Sequence, residues 1–231
     1  MPTITGTLST GPTAATLASL RDRVEATLQD SGNLIWSTAT LDEAIRRTLD
    51  RLNWIMPRQA IGLITLAAAG REISLASLTG LLEVKRVWWN YDSADPAHPP
   101  AFCRFEVWPG SILYIHDDSE PAAGDVIRVW YTLPHTIQNL DSASTTTMDA
   151  TLQALMVTGG AGYAAQIRAI ELTEQVTADP GVTNKLNDWA RNQIAEFRTQ
   201  LRNIANIEST RQAQMVRMQP LDRWDNRDDE W

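Results

Sequence analysis

The chain is short of several things that would narrow its chemistry. It has one cysteine, Cys103, in 231 residues, so it can form neither an intrachain disulfide nor a cysteine-built zinc site. It has no excess of positive charge: 28 acidic residues face 20 basic ones, a net charge of −8. A protein that grips nucleic acid phosphates needs a basic face, so the chain as a whole is a poor candidate for that role. No apolar run approaches the roughly 20 residues that span a bilayer. The first 20 residues hold no cationic cluster followed by an apolar core, so no secretory signal is expected. The expectation is a cytosolic protein that does not enter a membrane. Lysine is nearly absent, with 18 of the 20 basic residues being arginine, and no function is read from that.

What remains is ordinary for a globular chain: 43% hydrophobic and 21% charged residues. Residues 1–12 are Thr, Ser, Gly and Pro and read as a flexible arm. Leu17, Leu20, Val24 and Leu28 recur at spacings of three and four, one face of an amphipathic helix. Asp30-Ser31-Gly32-Asn33 stops it. After the apolar link Leu34-Ile35-Trp36, Thr40 and Glu43 read as a capping box. The following helix turns Leu41, Ile45, Leu49, Leu52 and Ile55 inward and ends before Pro57.

From about 60 to 134 the period becomes that of strands. Expected strands are 61–66, 72–75, 82–91, 102–108, 112–115 and 126–133, with a proline-rich loop at 92–100. Pro109-Gly110-Ser111 carries a hairpin signature. Sequential short strands predict an antiparallel meander or a small sandwich. Helical period returns near Thr151, with Leu152, Leu155, Gly159, Tyr163, Ile167 and Ile170 on one face. Asp179-Pro180-Gly181 breaks it. Leu186, Trp189, Ile194, Phe197, Leu201, Ile204 and Ile207 mark a last long helix. Residues 211–231 lose periodicity.

The predicted class is therefore α+β. A helical bundle comes from the N- and C-terminal helix pairs (13–57 and 149–210). An antiparallel β lobe is inserted at 58–148. An extended C-terminal tail covers 211–231.

Two strings invite chemistry. Val157 to Ala165 includes Gly159-Gly160-Ala161-Gly162 and superficially matches a dinucleotide-binding turn. Such a turn needs a strand before it and an acidic residue about 20 residues later. Here the flanks read as helix, and small residues for close helix packing explain the string. His116-Asp117-Asp118 with Glu120 and Asp125 lacks the spacing of a calcium loop and reads as solvated carboxylates. His98, His116 and His135 fall at loops or strand ends. No nucleophile, zinc or phosphate-loop string occurs, and no catalytic residue, metal or cofactor is assigned. Of nine tryptophans, most can be core. Trp224 and Trp231 fall in the charged tail and suit anchors for a partner surface.

Asn33-Leu34-Ile35-Trp36-Ser37, Leu41-Asp42-Glu43-Ala44-Ile45 and Leu52-Asn53 resemble the N-terminal helix pair of tailed-bacteriophage head-to-tail adaptor proteins. Gly124-Asp125-Val126-Ile127-Arg128-Val129-Trp130-Tyr131, running into Pro134-His135-Thr136-Ile137, resembles them too. A helix then starts after Asp141-Ser142-Ala143-Ser144-Thr145-Thr146. The order helix pair, β lobe, helix pair is similar to the tail tubular adaptors of short-tailed phages, over roughly residues 17–175. The resemblance implies a virion protein at the head-tail interface, present in the host cytoplasm during assembly, and not an enzyme. Such proteins form a ring, of twelve subunits by expectation, beneath the portal. The ring extends the channel through which genomic DNA passes without specific binding, and offers a platform for the tail or nozzle protein. The tail residues Met215, Met218, Leu221, Arg223, Trp224, Arg227 and Trp231 are the expected portal- or partner-binding set. A different neck or tail-completion protein, and a nucleotide-binding oxidoreductase built on 157–165, stay open as alternatives.

Overall fold

The computed structural model describes residues 15–30, 32, 34–89, 91–92, 102–174 and 180–217. Among them are four helices and six strands in two small antiparallel sheets, an α+β fold. The chain divides into two compact units: Met1–Met56 with Thr136–Trp231, and Pro57–His135. Residues 1–14 and 218–231, and with them the expected arm and most of the expected tail, lie outside the described residues.

In the first unit α1 (Leu17–Leu28) is opened by Thr16, whose hydroxyl accepts from the Ser19 amide while Ser19 caps the Thr16 amide in return. Helix α2 (Thr38–Ile55) is capped by Ser37, which accepts from the Thr40 amide at 3.2 Å. The expected Thr40–Glu43 box is therefore displaced by one turn. Glu43 instead binds Arg46 and Arg47 at 3.1 and 2.9 Å, the i,i+3 and i,i+4 neighbours that one helix face places beside it. Between α1 and α2, the buried Asp30 carboxylate accepts the amides of Leu34, Ile35 and Trp36 at 2.9–3.0 Å. That turn swings Trp36 into the core and leaves Leu34 89% exposed.

Helix α3 (Ala150–Thr173) starts at Asp149, which accepts from the Leu152 amide at 2.8 Å. Helix α4 (Pro180–Arg217) is the longest, and runs seven residues into the stretch read as aperiodic. Expected core positions Leu17, Leu20, Val24, Leu41, Ile45, Leu52, Leu152, Leu155, Phe197 and Leu201 are buried in one cluster fed by all four helices. Two positions differ: Ile170 and Ile207 are exposed. In α3 the burial is not a stripe, because Gly159, Gly160, Ala161, Gly162, Ala164 and Ala165 are all buried and cover successive sides of the helix.

Residues 136–148, expected in the β lobe, join this first unit, and Ile137, Leu140 and Met148 lie in its core. Their Ser/Thr run acts as a clasp. Thr147 Oγ1 accepts from the Thr136 amide at 2.9 Å, Thr146 Oγ1 accepts from the Gln138 amide at 2.8 Å, and Thr146 donates to the Ala15 carbonyl. Asp141 holds the Arg46 guanidinium through two contacts of 3.1 and 2.8 Å.

The second unit contains β1 (Arg58–Thr65), β2 (Glu72–Ser74), β3 (Glu83–Trp88), β4 (Arg104–Trp108), β5 (Ile112–His116) and β6 (Val126–Leu133). The hairpin at 109–111 forms as expected, with Gly110 and Ser111 at positive φ (85° and 58°) between Trp108 and Ile112. The order is not a meander. One sheet runs β1-β6-β3 and the other β2-β5-β4, so the first and last strands of the unit pair along eight residues. Both sheets contribute to one core that includes Ile73, Val87, Leu113, Ile115, Ile127 and Val129.

The electrostatics predict an acid weakness. The Trp36 amide foremost, with Ile35 and Leu34, holds the Asp30 carboxyl below its ordinary value of 3.8. Arg47 and Arg46 do the same for Glu43, and Arg46 for Asp141. Groups with a lowered folded value contribute stability that is complete above the unfolded value and is lost as pH falls through the folded one. In Asp30→Asn, the fall in urea midpoint from about pH 7 to about pH 3 should be smaller than in the parent chain. An equal fall would mean that the Asp30 contacts do not form in solution.

Candidate functional site

The glycine string is settled by its neighbours. Residues 157–165 lie inside the continuous helix α3, with no strand before them and no loop to receive a phosphate. A Cβ added at Gly159 would lie 2.5 Å from Thr48 Cγ2 and 3.1 Å from Phe197 Cγ. One at Gly160 would meet Val24 at 3.1 Å, and one at Gly162 would meet Ile194 at 2.9 Å. Three glycines thus admit α1, α2 and α4 in turn, and the dinucleotide turn is absent from this string.

The acidic cluster is equally structural. Asp125 accepts from the Trp89 indole at 3.1 Å and from the Ala122 amide at 2.9 Å. The Arg71 guanidinium donates to the carbonyls of Asp117 and Asp118, and His116 faces Glu106 at 3.3 Å. Arg71, His116, Asp117 and Asp118 border a depression of about 490 Å³ lined also by Phe102, Cys103 and Arg104. Burial pushes the Cys103 thiol up to about 11, so it is a thiol at neutral pH and a poor nucleophile. No group of three His, Cys, Asp or Glu among the described residues could hold a metal ion. His135 is buried two residues after β6, and His98 lies outside the described residues.

Of the expected partner-binding residues, Met215 falls in the last turns of α4. Met218, Leu221, Arg223, Trp224, Arg227 and Trp231 lie outside the described residues. A smaller depression of about 240 Å³, between Thr27, Leu28, Gln29, Trp36, Leu186 and Trp189, opens in the first unit. Trp36 Nε1 is buried with no acceptor among the described residues. Trp54, in the last turn of α2 and a possible core residue by sequence, is 81% exposed.

A surface that the sequence reading missed is the outer face of the β1-β6-β3 sheet. Its register forms two rows across three strands: Ile61, Trp130 and Arg86, then Leu63, Arg128 and Trp88. The opposite face carries Val87 and Val129, paired in the core. Trp88 and Trp130 stack with centroids 6.5 Å apart and planes 7° apart. The Arg128 guanidinium lies 4.9 Å from the Tyr91 ring and 5.0 Å from that of Trp130, and Arg86 is 5.8 Å from Phe102. Ile61, Leu63 and Phe102 are each about half exposed. Aromatic, arginine and aliphatic side chains in one patch are the composition of interface hot spots. The signal was present in the sequence as a repeated tripeptide, Arg86-Val87-Trp88 and Arg128-Val129-Trp130. At a strand's period of two, each repeat puts valine inward and Arg and Trp outward.

The packing account of the string makes a prediction. Thr48 cannot turn aside cheaply, because its hydroxyl donates to the Ala44 carbonyl at 2.8 Å inside the core. Gly159→Ala gains about 1 kcal/mol of helix propensity. It also forces an overpacked contact that costs about 1–3 kcal/mol. The urea midpoint should fall, and a raised midpoint would refute the close approach. Added NAD should leave the melting temperature unchanged, whereas a rise of several degrees would restore the nucleotide reading.

No protein-family model matches the chain, and no curated protein matches its sequence.

Proposed function

We propose that the chain is a structural subunit of a tailed-phage particle, a head-to-tail adaptor that forms a ring under the portal. The carrying observation is the order of the units: two helices, an inserted β unit, then two helices that return to the same core. That is the order of the adaptors which residues 17–175 resemble. A wedge in a ring needs two unlike lateral surfaces that close by rotation. The outer face of β1-β6-β3, where Ile61 and Leu63 are about half exposed, and the exposed Trp54 are the kind of surface such contacts use.

In this reading the four helices pack as a bundle from the two chain ends, the β unit is its lobe, and the C-terminal stretch extends as a tail. The ring, of twelve subunits, encloses the channel for genomic DNA, and a net charge of −8 suits walls that do not hold phosphates. The subunit performs no reaction and uses no cofactor. Its partners are the portal protein, the tail or nozzle protein and other copies of itself, at the neck of the virion. The C-terminal residues Met215, Met218, Leu221, Arg223, Trp224, Arg227 and Trp231 make the contact to the portal or a neighbouring subunit.

The direct test is electron microscopy and sizing chromatography of the chain mixed with its portal. Closed rings and co-elution at micromolar concentration are expected, and persistent separation would refute the adaptor reading. Within that complex, Trp224→Ala should cost about 2 kcal/mol per docked tail if Trp224 is a hot spot, roughly 30-fold in affinity. Truncation after Arg217 leaves α4 whole. Unchanged portal binding after that truncation would assign the contact to the described units instead.

A further inference from the structure

We infer that the outer face of the β1-β6-β3 sheet is the seat for residues 218–231 of a second copy of the chain. The face is built of Ile61, Leu63, Arg86, Trp88, Arg128 and Trp130. It is short of acceptors. Among the described residues Arg86 and Arg128 form no ion pair, and each guanidinium lies over ring faces. Trp88 is 6% exposed, and its Nε1 has no hydrogen-bond partner, nor has Arg128 Nε on the neighbouring strand. Ile61 and Leu63 on the same face are about half exposed.

The occupant is argued from complementarity. Residues 218–231 read Met-Gln-Pro-Leu-Asp-Arg-Trp-Asp-Asn-Arg-Asp-Asp-Glu-Trp. Five carboxylates stand against two arginines, and two tryptophans and a leucine lie between them. Carboxylates supply what Arg86 and Arg128 lack, and the indoles add to the stack of Trp88 and Trp130. A single-stranded nucleic acid is the weaker fit. A backbone-tracking groove needs a run of cations, and this face has two, in a chain of net charge −8. Seating the C-terminal stretch of one copy on the sheet of the next joins unlike surfaces, the head-to-tail contact that closes a ring. The contact deepens the ring reading above. Its test uses the chain alone, so a failed contact between copies and a failed portal interaction are separate results.

The experiment places a photoreactive phenylalanine analogue at Leu63 in the full chain. Isotope-labelled and unlabelled copies are mixed, and the cross-linked peptides are mapped by mass spectrometry after illumination. Mixed-isotope cross-links within 218–231 are expected. Their yield should fall about fivefold or more in Arg86→Glu, the loss expected when a charge pair is reversed, and in about 1 M salt, where the screening length shrinks to about 3 Å. Arg86 is exposed, so its reversal should leave the circular dichroism unchanged. Asp225→Asn/Asp228→Asn/Asp229→Asn is the second arm and should lower the yield as much. Cross-links confined to other segments or to single copies would overturn the proposal. So would a yield indifferent to both variants, or a single-stranded DNA oligomer binding this face in an Arg86-dependent way.

Discussion

The helical unit depends on how closely three helices can approach α3. A helix flanked by large side chains keeps its neighbours at 8–10 Å between axes. α3 presents Gly159, Gly160, Gly162, Ala161, Ala164 and Ala165 instead, all buried. Val24 of α1, Thr48 of α2, and Phe197 and Ile194 of α4 come to within contact distance of its glycine backbone. The glycines weaken α3 as an isolated helix, by about 1 kcal/mol each. The contacts they admit bury Val24, Thr48 and Phe197 completely, and that burial outweighs the propensity lost. The same residues that mimic a phosphate-binding turn in one dimension are thus the packing centre in three.

The β unit obeys a different constraint, the two-residue period of a strand. In β3 and β6, Val87 and Val129 pair inward while Arg86, Trp88, Arg128 and Trp130 pair outward. A bulge between Val84 and Arg86 keeps both Val84 and Val87 in the core despite their odd spacing. Without it, one row of the aromatic face would turn inward. The guanidinium groups of Arg86 and Arg128 lie against the π faces of Phe102, and of Tyr91 and Trp130. This orders the face without an ion pair among the described residues, which suits it to an acidic partner.

Short polar segments hold the helical unit where apolar burial does not reach. Asp30 gathers three amides between α1 and α2, and Arg46 ties α2 to the 136–148 clasp through Asp141. Because these links rest on ionised carboxylates, the unit's cohesion is tied to pH in a way its apolar core is not. A virion neck protein, the role proposed for the chain, would keep them intact across the neutral range.

Much of the architecture was legible in the sequence by itself. The 3.6-residue period marked all four helices, although α4 runs seven residues past its expected end, and β-branched and aromatic runs marked all six strands. Pro57 and Pro109-Gly110 act through local dihedral limits that need no neighbour. Tertiary structure decided the rest. The pairing of β1 with β6 and the membership of 136–148 depend on contacts between segments far apart in the chain, which periodicity does not encode. The first turn of α2 went to Ser37 over Thr40, because both residues suit a cap and Asp30 determines where the chain turns. The aromatic face was spelled out twice as Arg-Val-Trp, yet its rows meet only once register aligns β3 with β6. A strand's sequence states which residues share a face, and only the neighbouring strand determines what that face becomes.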